Sequence, residues 1–125
     1  MKNASLNGSA ITTGGSGQEQ RITASPQLPT GWQHVAVTRS GTAGTLYVNG
    51  QPVATNTGLT LSPANLGTTT NNWIGRSQYS DPYLSAVVDE FQIYDHALTQ
   101  GEIQSLGGSP GGTTGGGNVA WYRFD

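Results

Sequence analysis

With 125 residues, 19 of them glycine and only 10% charged, the chain has room for one domain and few places for a long helix. A net charge of −2, with five Lys+Arg, supplies no basic stripe, which argues against nucleic acid and anionic membranes as partners. The absence of cysteine excludes disulfide staples and thiolate zinc sites. No signal peptide is legible, and no apolar run approaches the ~18 residues of a membrane helix.

In chain order, Leu6 to Thr13 and Gln18 to Ala24 predict two strands around the turn Gly14-Gly15-Ser16-Gly17. Pro26 to Gly31 is a connection anchored by Leu28. Trp32 to Arg39 alternates, with His34, Ala36 and Thr38 opposite Gln33, Val35, Val37 and Arg39. Gly41 to Gly44 predicts a turn, and Thr45 to Val48 the next strand. Asn49-Gly50, between Val48 and Gln51-Pro52-Val53, is a strong hairpin signal, because a type I′ turn needs positive φ at both central residues. Thr57 to Thr70 is polar, with Leu61 to Ala64 a tight or helical turn. Asn72 to Arg76 predicts a short strand, and Ser77 to Leu84 a tyrosine-rich loop.

Val87 to Tyr94 alternates most strictly. Val87, Phe91 and Ile93 share one face, which predicts a core face with Asp89 turned inward. Thr99-Gln100-Gly101-Glu102 has capping-box spacing ahead of Ile103 and Leu106, so a short helix follows. Residues 107–117 are glycine-rich and uncharged, predicting a flexible linker whose root-mean-square reach is about 17–20 Å. Asn118 to Asp125 returns to strand-forming residues, and that reach lets Val119 to Phe124 pair beside Asp89 to Tyr94. Short strands spaced by turns make the fold class all-β, an antiparallel β-sandwich.

Four blocks then stand in order: Gly31 to Thr38, Leu46 to Gly50, Trp73 to Ser77 and Val88 to Leu98. Together they resemble the laminin-G-like, concanavalin A-like jelly-roll domains of bacterial secreted glycosidases and surface proteins. The resemblance covers roughly residues 8 to 106 and corresponds to the latter part of such a domain. The family's usual opening strand has its counterpart at the other end of this chain, in Asn118 to Asp125. The expected division is a sandwich portion over 1–106, a linker over 107–117 and a returning strand over 118–125, a jelly roll that is permuted or incomplete. Three arrangements fit: a permuted domain, a tandem array cut at a boundary, or half of a split sandwich completed by a partner chain or a second copy. The resemblance implies a bacterial protein, secreted or on the cell surface.

Catalysis is not expected. Asp89 and Glu90 are adjacent on a predicted strand and point to opposite faces. Asp89 and Asp95 share a face but stand about 20 Å apart, beyond the roughly 5–9.5 Å of a glycosidase pair. Glycanases of the resembled family carry carboxylates at alternate positions of one strand, where this chain has Asp89, Phe91 and Ile93. Neither His34 nor His96 has a nucleophile beside it in sequence, and no triad or phosphate loop is legible. The resemblance implies instead a structural calcium ion at Asp89 and Asp125, brought together if the returning strand docks. For an oligo- or polysaccharide, the candidate residues are Trp73, Arg76, Gln78, Tyr79 and Tyr83, because aromatic faces stack on sugars and amide or guanidinium groups donate to hydroxyls. A core position for Trp73 is the competing expectation. The function implied is a non-catalytic carbohydrate-binding accessory domain; the alternative is a structural module whose sandwich pairs with a complementary polypeptide.

Overall fold

The computed structural model describes residues 7–15, 17–25 and 27–107, and the backbone of 121–124. The described elements are β1 (Asn7–Ile11), β2 (Gln20–Ala24), β3 (Gly31–Ser40), β4 (Ala43–Val48), β5 (Gln51–Asn56), a 3-10 turn (Pro63–Leu66), β6 (Ala86–Asp89), α1 (Gln100–Leu106) and β7 (Trp121–Phe124). β1 and β2 form an antiparallel hairpin, and the other strands form a second antiparallel sheet in the order β5-β4-β3-β7-β6. The fold is the expected all-β sandwich.

The β4–β5 hairpin turns on Asn49 (φ 51°) and Gly50 (φ 77°), both left-handed, as a type I′ turn requires. The Asn49 side chain also secures the turn to the neighbouring strand. Its Nδ2 donates to Gln33 Oε1 (2.8 Å), its Oδ1 accepts from the His34 amide (2.9 Å), and its own amide donates to the His34 carbonyl (2.8 Å). This network satisfies polar groups of Gln33 and His34, which are both buried.

Between the layers, Ile22 and Ala24 of β2 meet Leu46 of β4 and Leu59, with Val35 and Ala54 packed around them. Burying a side chain such as Leu46 contributes roughly 1.5–3 kcal/mol. Gly44 lies where a Cβ would meet the tips of Leu59 and Ile22, so a larger residue there would require those side chains to shift. Polar ties add to the apolar contact. Gln20 Oε1 accepts from the amides of Thr60 and Leu61 (both 2.9 Å), and Asn56 Nδ2 donates to the Arg21 carbonyl (2.8 Å).

α1 begins at a capping box in which Thr99 Oγ1 accepts from the Glu102 amide and Glu102 Oε2 accepts from the Thr99 amide. Its Ile103 is fully buried, and Gln100 and Gln104 both donate to the Gly50 carbonyl (3.3 Å each), fixing the helix to the hairpin turn. α1 is the one helix longer than a single turn among the described residues, and none is long and apolar enough to cross a membrane.

Two expected strands differ. The alternation from Val87 to Tyr94 yields a strand only as far as Asp89, because Glu90 adopts φ 57° and breaks the extended run. The expected core face is not buried either. Val87 (50% exposed), Asp89, Phe91 and Ile93 (84% exposed) are exposed rather than forming a buried core face, and Ala86 and Val88 are half-buried. Asn72 to Arg76 is a loop rather than a strand. Gly75 takes φ 79°, and its carbonyl accepts from the Leu84 amide (2.8 Å), closing the loop on itself.

β7 pairs antiparallel with β6, Trp121 beside Asp89 and Phe124 beside Ala86. On its other side it pairs with β3, His34 beside Trp121 and Gly31 beside Phe124. The return of a terminal strand was expected beside Asp89 to Tyr94. β7 pairs instead with Ala86 to Asp89, sharing only Asp89 with that segment, and its insertion between β3 and β6 was not foreseen. Residues 108–120, which hold most of the expected linker, lie outside the described residues.

Candidate functional site

The loop closed by Gly75 and Leu84 brings three of the five expected carbohydrate residues together. The Arg76 guanidinium carbon lies over the Trp73 ring at 4.6 Å from its centroid, and 5.9 Å from the Tyr83 centroid. Trp73 is 44% exposed and Tyr83 72%, so both rings face solvent and a core position for Trp73 is excluded. Beside them runs a shallow groove of about 660 Å³, bordered by Asn72, Trp73, Arg76, Tyr83 and Leu84 and floored by Val88 of β6. The sheet thus supplies a rigid base and the loop supplies the aromatic rim.

Gln78 and Tyr79 do not border this groove. The Tyr79 amide donates to Ser77 Oγ (3.0 Å) in a local turn that leaves Tyr79 half-buried, and Gln78 is exposed. Sequence reasoning missed Ile74 and Leu84 as groove residues. The signal was Gly75, whose left-handed φ turns the segment away from strand geometry.

Among the described residues, no group of three His, Asp or Glu converges to hold a metal ion. Asp125, one of the two expected calcium ligands, lies outside the described residues. The register places Asp89 beside Trp121 and the Phe124 end of β7 beside Ala86, about 10 Å further along the sheet at ~3.3 Å per residue. That register gives the proposed Asp89–Asp125 pairing no support. The other ionisable contacts are local. His96 Nδ1 lies 2.7 Å from Asp95 Oδ1, and the hydrogen bond from His96 holds the exposed Asp95 carboxyl below its usual range. Burial pushes the His34 imidazole down.

A second concavity, about 700 Å³ and mainly apolar, opens between the layers and is lined by Ile11, Val37, Leu46, Leu66, Phe91 and Ile93, among others. Phe91 and Ile93 are its exposed wall.

Residues 2–104 match the profile of the laminin-G branch described as the concanavalin A-like lectin/glucanases superfamily. A crystal structure of residues 221–444 of an S-layer domain-containing protein from Clostridium thermocellum ATCC 27405 is similar at 41% identity, with a TM-score of 0.58. The match covers 78% of this chain and 49% of that one, so the chain spans about half the length of the solved structure it matches. No curated protein matches. The sandwich of β1–β7 and the match over residues 2–104 agree: the chain belongs to the concanavalin A-like lectin/glucanase superfamily.

Proposed function

We propose that this chain is a non-catalytic carbohydrate-binding accessory domain of a bacterial surface or secreted protein, and that it holds sugar on the platform of Trp73, Arg76 and Tyr83. The observation that carries this reading is the solvent-facing stack of one guanidinium and two aromatic rings above a groove. Aromatic faces accept the C–H face of a pyranose, and guanidinium and amide donors reach its hydroxyls. Membership of a superfamily described by its lectins, and likeness to an S-layer domain-containing protein, support a surface role. Affinity electrophoresis through gels containing a panel of polysaccharides tests it. Retention by at least one glycan should fall when Trp73→Ala or Tyr83→Ala removes a stacking face. Uniform mobility in every gel would sink the reading.

A second reading is supported by the apolar groove between the layers and by the half-length match. In it β7 is the counterpart of the family's opening strand, and a further polypeptide covers Phe91 and Ile93 to complete the sandwich. Apolar surface of this kind favours association. Light scattering tests completion by a second copy: a mass of twice 13.0 kDa supports it, and a monomer at high concentration contradicts it and leaves only a different partner chain.

A further inference from the structure

We propose that Arg76 makes the platform selective for glycans bearing carboxylates, that is, for uronic-acid polysaccharides; this rests on the carbohydrate-binding reading above. Of the cationic side chains described, Arg21 is paired with Glu19 at 3.1 Å, and Arg39 donates to the Leu59 carbonyl at 3.4 Å. Arg76 differs from both. Among the described residues no carboxylate or carbonyl accepts from it, and Asp81, in the same loop, forms no ion pair with it. Its contacts are the faces of Trp73 and Tyr83.

A guanidinium held by its face keeps its in-plane N–H groups available, and these form the fork that matches a carboxylate with two parallel hydrogen bonds. The two rings restrict the side chain's rotamers before any ligand arrives, which lowers the ordering cost of binding. They also border the groove, so a sugar ring stacked on Tyr83 would carry its C5 carboxylate towards Arg76. A neutral sugar would use the same ring but leave the cation with water. The chain's net charge of −2 works against indiscriminate adhesion to polyanions, so retention by an acidic glycan reports a local site rather than a general field.

The test uses the full chain in gels containing polygalacturonate or its fully methyl-esterified form, with a chelator present so that bridging calcium plays no part. Esterification removes the charge and keeps the sugar backbone. The expected result is retention by the acid form, with affinity about tenfold or more weaker for the ester and for Arg76→Gln, and intermediate for Arg76→Lys. A circular dichroism spectrum matching the wild type confirms that Arg76→Gln folds. Equal retention by acid and ester, or an unchanged Arg76→Gln, overturns the selectivity and leaves carbohydrate binding standing. Absence of retention by any neutral or acidic glycan overturns the carbohydrate reading, and this inference with it.

Discussion

Asn49 joins two constraints in one residue, a left-handed backbone and a side chain that binds both Gln33 and the His34 amide. Alanine meets neither, while glycine meets the first only. Asn49→Ala is expected to cost about 1–2 kcal/mol, and Asn49→Gly less, as read from denaturant midpoints. A midpoint unchanged by the alanine would show that the turn is held elsewhere. His34 gives a pH signature. Burial lowers its pKa, so the fold favours the neutral ring, and the unfolded chain binds the proton first as pH falls. Its contribution is complete above the ordinary value of 6.5 and is lost as pH drops below that towards the folded value. Glu19, Asp95 and Glu102 are also held below their usual values, but their losses begin only near 4.5 and lower. Between pH 7.5 and about 5.5 the wild type should therefore lose stability, and His34→Gln should lose less. Parallel curves for the two proteins would contradict the assignment.

At the scale of elements, β7 is the piece on which the larger sheet depends, since it joins β6 to β3. The chain has no cysteine, so engineered pairs report without background. Val87 and Arg123 are register partners, and such partners have Cβ atoms within about 4.5–5.5 Å, near disulfide reach. Val87→Cys with Arg123→Cys should oxidise to a cross-linked monomer, whereas Val87→Cys with Tyr122→Cys, one residue out of register, should not. Equal reactivity of both pairs would mean that β7 is not docked as described. That a terminal strand returns to the neighbourhood of Asp89 was legible, because Trp121 to Phe124 is strand-forming and the segment before it is long enough. Its partner there is Ala86 to Asp89 rather than Asp89 to Tyr94. Its second partner was not legible, because alternation shows that a residue lies in a sheet without saying which strands flank it. The same limit explains Phe91 and Ile93. Their period-two pattern is intact, yet Glu90 turns left-handed before them, and β7 offers only four described residues with which to pair. Asn72 to Arg76 failed similarly, through Gly75. Asn49-Gly50 and Thr99 to Glu102 were read correctly, because their geometry is set by residues adjacent in sequence.

At the scale of the molecule, one side of the sheet carries an aromatic and cationic platform, and an apolar groove opens between the layers. The five candidate residues lie close together in the sequence, and the closed loop brings Trp73, Arg76 and Tyr83 of them together. Amide chemical-shift mapping separates the two surfaces. The labelled full chain would be titrated with an oligosaccharide cut from whichever polysaccharide retains it. Binding at the Trp73 platform predicts shifts centred on Asn72 to Arg76 and on Tyr83 and Leu84. Shifts confined to Ile11, Val37 and Ile93, or none at saturating sugar, would contradict it.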